Sequence, residues 1–242
     1  MSYPCEPRIP SPLGWGVVNA PAPTVSPKPP QQIFPNLWIF APNRETLGGV
    51  AYLIQHPEGN VLVDLPAWNP VNAEFLKAAQ VRHCFLTHRR AIAQASPWRS
   101  ALECSLCIQE QEAYLLPGLQ PRSFQTEIDL VAGVSGFWTP GHSPGSSCLY
   151  WQEHGGILFS GRHLLPNAEG NPTPLHTRKT FHWPRQVRQV QTLVQHFSAD
   201  TLTYICPGAS LGLLRGAKTI DRAYDRLCEL NFEILSSLDP EL

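Results

Sequence analysis

Charge is scarce in this sequence: Asp, Glu, Lys and Arg supply 15% of its 242 residues and balance to a formal net of -1. No global field therefore draws the chain to nucleic acid or to an anionic lipid surface. Long apolar runs are missing too, since no stretch approaches the roughly 18 residues that a membrane-spanning helix requires. Met1 to Pro12 has neither the basic start nor the apolar stretch of a secretion signal, which predicts a cytoplasmic protein with no membrane span. The seven cysteines are odd in number and widely scattered, so they are expected to remain thiols without a structural disulfide. Phosphate-cradling glycine loops and the G-x-S-x-G elbow of serine hydrolases are absent, so a serine nucleophile is not expected.

Proline is plentiful and unevenly placed. Ten of the 25 prolines fall within the first 35 residues, including Pro27, Pro29 and Pro30. Proline fixes φ and removes a backbone donor, so residues 1–32 are expected to form an extended tail lacking helix and central strand. Such a tail is expected to lie across the domain or stay mobile, or else to dock a protein partner, for which Trp15 within it would favour an interface. Residues 33–242 then form the folded domain, with apolar content, 43% overall, sufficient for a substantial core.

Within the domain, short apolar runs at Leu37–Phe40, Val50–Ile54 and Val61–Leu65 are separated by Gly48-Gly49 and by Pro57-Glu58-Gly59-Asn60. These are the marks of consecutive strands. A helix is expected from Pro70, then a strand from His83 to Leu86 running into Thr87-His88. Further helices are predicted over Glu110–Leu116, from Pro184 with Val187, Val190, Val194 and Phe197 on one face, and over Gly216–Leu235. Strands are predicted near Gly136–Thr139, Cys148–Trp151, Ile157–Ser160 and Leu202–Cys206. Strands lead and helices follow in each half, as in two mixed sheets with helices outside. Cys104-x-x-Cys107 lacks a second ligand pair, and at least one of its cysteines is expected to be a buried apolar group.

Five segments in order carry a resemblance: Val61-Leu62-Val63-Asp64, Phe85-Leu86-Thr87-His88, Thr139-Pro140-Gly141-His142-Ser143-Pro144-Gly145-Ser146, Leu158-Phe159-Ser160-Gly161 and Cys206-Pro207-Gly208. Together they resemble the metallo-β-lactamase superfamily over about residues 33–214. The resemblance implies an α+β fold, a four-layer αβ/βα sandwich with its site at one edge of two packed sheets. It also implies metal ligands drawn from T-H-x-H-x-D-H, G-H-S-P-G, S-G-D and P-G-H motifs. His88 and His142 keep two of those positions, whereas Arg90, Ile92, Ala93, Arg162 and Ala209 occupy the other five.

The chemistry of that exchange follows from the residues themselves. Zinc takes three or four N, S or O ligands, and two imidazoles are too few. Arginine stays protonated, so Arg90 and Arg162 place positive charge where a dication would sit. The expectation is a pseudoenzyme that binds a protein partner or a small anion and needs no cofactor. Its pocket would comprise Arg90, Arg162, His88, His142 and Asp64, with Arg89 as a further member. Against this stands a filled cavity in which Arg90 or Arg162 pairs with Asp64. A third reading is a one-metal hydrolase or oxygenase holding a single zinc or iron ion on His88, His142 and one more ligand. His163 is the sole neighbour for that role, although alternation along an extended segment points it away.

Overall fold

The computed structural model describes residues 26–92 and 94–240. The predicted tail therefore lies mostly outside the described residues, as do Trp15 and Ala93. Residues 26–30 carry no regular element, and the first strand, β1 (Gln31–Phe34), starts two residues before the predicted boundary. It is an edge strand, where an extended proline-flanked segment is tolerated.

The first sheet continues through β2 (Leu37–Ile39), β3 (Tyr52–Ile54), β4 (Asn60–Val63), β5 (Val81–Phe85), β6 (Ser105–Gln109) and β7 (Arg122–Phe124), in that spatial order. Strands β1 to β4 form an antiparallel meander, and β4 to β7 run parallel. Parallel neighbours need crossovers, supplied here by α1 (Pro70–Ala78), α2 (Ala95–Leu102) and α3 (Glu110–Ala113). Asn69 caps α1 by accepting the Asn72 N–H, and Pro70 opens the helix where no donor is missed.

The second sheet contains β8 (Glu127–Val131), β9 (Val134–Trp138), β10 (Ser147–Trp151), β11 (Ile157–Gly161) and β14 (Tyr204–Pro207), ordered β14-β11-β10-β9-β8. A small hairpin of β12 (Leu165–Pro166) and β13 (Pro172–Thr173) follows β11. Helices α4 (Trp183–His196), α5 (Ala223–Cys228) and α6 (Phe232–Ser237) complete the chain.

Alternation along the strands sorts side chains into three cores. Val61, Val63 and Phe85 meet Leu149, Trp151 and Phe159 between the sheets, while Leu62, Cys84 and Leu106 turn outward onto Leu76 and Trp98 beneath α1 and α2. On the far side, Cys148, Leu158 and Ile205 pack under Val190, Leu193 and Leu227 of α4 and α5. The result is the predicted helix–sheet–sheet–helix sandwich. No described helix is long and apolar enough to cross a membrane.

Two predicted helices are redrawn. The closing helix over Gly216–Leu235 is instead two short ones, because Ile220 exchanges backbone hydrogen bonds with Ile205 and Asn231 caps a new helix by accepting the Glu233 and Ile234 N–H groups. The helix over Glu110–Leu116 stops after one turn at Ala113, ahead of Pro117-Gly118. In α4 the most buried positions include Val187, Val190 and Leu193, with Val194 only partly covered. Cys104 and Cys107 are both buried as free thiols, on opposite faces of the first sheet.

Candidate functional site

Two parallel strand ends begin the site. The backbone N–H of Asp64, just beyond β4, donates to Phe85 O at 2.8 Å, which sets Asp64 beside the exit of β5. Asp64 adopts φ 59, a left-handed turn that folds its carboxylate back over that exit. There it accepts the Thr87 N–H at 2.7 Å on Oδ1 and meets Thr87 Oγ1 at 2.8 Å through Oδ2. Burial raises the Asp64 carboxyl to about 7, against the lowering pull of the Thr87 hydrogen bonds and of Arg162.

Thr87 also holds His88, its Oγ1 lying 2.8 Å from His88 Nδ1. The other ring nitrogen, Nε2, is buried without a hydrogen-bond partner. Burial holds His88 well below the usual histidine range, with His142, Arg162 and Arg90 adding to the shift. His88 is therefore a neutral imidazole near pH 7.

The second sheet delivers the opposing wall. The loop from β9 to β10 is pinched by Thr139 N–H to Ser146 O and tied to the first sheet by Ser147 N–H to Thr87 O, both at 2.8 Å. His142 at its tip meets His88 edge-to-face with ring centroids 5.2 Å apart. Its basicity falls to about 4, through burial first and then Arg162, Arg90 and Arg89. Gly161 ends β11 at φ +53, and a Cβ there would lie 2.5 Å from Thr87 Oγ1. Only glycine admits the close approach that brings Arg162 over the site.

Arg162 departs from one predicted arrangement. Its Nη2 donates to the carbonyls of Thr46 and Leu47, each at 2.9 Å, and no ion pair joins it to Asp64. Its Nε is buried and lacks an acceptor. Arg90 does not pair with Asp64 either, and among the described residues it has no carboxylate partner. Asp64 thus hydrogen-bonds to Thr87, and the arginine–Asp64 ion pair of the filled-cavity reading is not formed among the described residues. Arg89 is a different case: its Nε reaches the fully buried Glu112 at 2.8 Å, which ties it to α3.

The structure thus gathers His88, His142, Arg162, Arg90 and Asp64 at one sheet edge. Thr87, quoted above as part of a motif but given no role there, joins Asp64 to His88 through its hydroxyl, and the Thr46-Leu47 carbonyls had no local signal in the sequence. His163 is fully buried with both ring nitrogens lacking a hydrogen-bond partner and with His142 adding to the burial that lowers its basicity, yet among the described residues it does not join the other histidines in a group of three ligands.

Solved structures with this architecture share little sequence with the chain. The mono-zinc form of FIM-1 from Pseudomonas aeruginosa gives a TM-score of 0.65 at 18% identity, covering 88% of this chain and 98% of its own. A metallo-β-lactamase from Erythrobacter litoralis gives 0.63 at 16% identity, over 86% and 96%. A metallo-β-lactamase family protein from Thermus thermophilus gives 0.59 at 18% identity, over 85% and 81%. The chain has the metallo-β-lactamase fold.

No protein-family model and no curated protein matches the sequence. At such low identity the shared metallo-β-lactamase fold speaks for architecture, not for activity. The residues present do not fit the zinc site common on this fold. Among the described residues no three His, Cys, Asp or Glu side chains come together as ligands, and two guanidinium groups bear on both histidines.

Proposed function

We propose that this chain is a pseudoenzyme on a metallo-β-lactamase scaffold, in which the former metal site binds a small anion. The observation that carries the reading is Arg162 Nε: a cationic donor buried at the site without an acceptor. Leaving a buried donor unmade costs about 1–3 kcal/mol, more when it is charged. An oxygen of phosphate, sulfate or a carboxylate supplies the missing acceptor. Arg90 adds a second guanidinium, and Asp64, whose charge bears on Arg162, already accepts from Thr87. A protein partner presenting an acidic side chain would use the same donors.

The experiment is calorimetric titration with phosphate, sulfate and acetate. Saturable binding is expected, weakened roughly tenfold to a hundredfold by Arg162→Gln, in line with a charge-assisted hydrogen bond. Because Arg162 also anchors two carbonyls, Arg90→Ala serves as the second variant and should weaken binding without changing the melting temperature. Elemental analysis runs alongside. Stoichiometric zinc or iron that survives dialysis and vanishes in His88→Ala would replace this reading with the one-metal enzyme.

A further inference from the structure

Two exposed apolar side chains stand on the segments that build the site. Leu47 is 63% exposed and Phe181 is 54% exposed. Scattered surface hydrophobics are ordinary; these two are tied by their own backbones to the site residues. The Leu47 carbonyl takes a hydrogen bond from Arg162 Nη2 at 2.9 Å, and the Phe181 N–H donates to His142 O at 3.2 Å. The next residue repeats the link, with His182 N–H on Gly141 O at 2.9 Å.

Leu47 is held against its conformational preference. It sits at φ 56, ψ 49, a left-handed conformation that a branched side chain avoids, and it is closed by its N–H to Arg44 O. The grip of Arg162 on its carbonyl stabilises that turn. The residue that brings the positive charge therefore also fixes an exposed leucine beside it.

We propose that the site takes an amphipathic anion: a small molecule with a carboxylate or phosphate head and an apolar body. The head meets Arg162 and Arg90, and the body covers Leu47 and Phe181. This rests on the anion reading above and adds the ligand class to it. Charge complementarity selects the head, and each methylene withdrawn from water strengthens binding by about threefold to fourfold. Two or three methylenes against Leu47 and Phe181 give on the order of tenfold or more.

The test compares acetate with octanoate, and inorganic phosphate with octyl phosphate, by calorimetric titration below micellar concentrations. The longer member of each pair is expected to bind at least about tenfold more tightly in the wild type. The double variant Leu47→Asn, Phe181→Ser should abolish that gain while leaving acetate and phosphate within about twofold, since asparagine accepts the left-handed turn and both positions are exposed. Equal affinity of short and long anions in the wild type overturns the apolar rim and leaves the anion pocket standing. A chain-length gain that persists in the double variant overturns the assignment to these two residues. Absence of saturable binding by all four compounds overturns both readings.

Discussion

Asp64 and His88 share one hydroxyl, with Thr87 Oγ1 2.8 Å from Oδ2 of the first and 2.8 Å from Nδ1 of the second. A hydroxyl has one proton to donate. While Asp64 is a carboxylate, Thr87 donates to it, His88 must supply the hydrogen on Nδ1, and Nε2 is left as an acceptor. Once Asp64 is protonated, the direction reverses along the chain and Nε2 becomes a donor suited to an anion.

The first prediction follows from that reversal. Anion affinity should rise as pH falls through about 7, the value to which burial raises Asp64. Asp64→Asn, whose amide donates permanently to Thr87, should flatten this dependence between pH 6 and 8. Stability moves in a linked way. A carboxyl raised from 3.8 to about 7 contributes fully below about 3.8 and loses that contribution as pH rises through about 7. Asp64→Asn should therefore stabilise the fold by roughly 2–4 kcal/mol at pH 8 and much less at pH 5. Denaturant titration at the two pH values measures it, and an equal effect at both contradicts the buried-acid argument.

The second prediction concerns acid lability. His142 is lowered to about 4, His163 to about 3 and His88 well below its usual range, each chiefly by burial. A depressed histidine contributes stability above its unfolded value of about 6.5 and loses it as pH falls toward the folded value. Each contributes up to about 1.4 kcal/mol per pH unit, so three histidines outweigh the opposing gain from Asp64. The melting temperature should fall steeply between pH 6 and 4. A flat profile across that window would mean that the imidazoles are charged or exposed in the folded protein.

The third prediction tests the ion pair that ties Arg89 to α3. Arg89→Ala strands Glu112, whose side chain is 0% exposed, and should cost roughly 1–3 kcal/mol, moderated because the Arg89 side chain is 38% exposed. Pairing it with Glu112→Gln should recover most of the loss. A double-mutant cycle gives the coupling energy directly, and additive losses would show that the pair contributes nothing.

Much of this architecture was legible in the chain itself. Val61, Leu62, Val63 and Cys84, Phe85 alternate between two cores because a strand has a period of two, so apolar runs of the right length predicted both sheets. The exchange of ligand types at Arg90, Ile92, Arg162 and Ala209 could be read only through the resemblance to the metallo-β-lactamase superfamily, whereas the helix from Pro184 was legible in its own residue pattern. Helix α2 and strands β7 and β8 left weaker traces, being short and interrupted by prolines or charges.

What the sequence alone determined was therefore local: strand periodicity, helix starts at Asn69-Pro70 and near Pro184, and the chemistry of each side chain at the strand ends. Tertiary structure decided the pairings. Asp64 goes to Thr87 and not to either arginine because parallel strands β4 and β5 end side by side, a juxtaposition across 23 residues of chain that no local pattern encodes. Arg162 reaches the carbonyls of Thr46 and Leu47, more than a hundred residues away, because Gly161 allows β11 to close against Thr87. Hydrogen-bond partners are chosen by proximity and burial, and for residues so distant in sequence only the packing of the two sheets sets both.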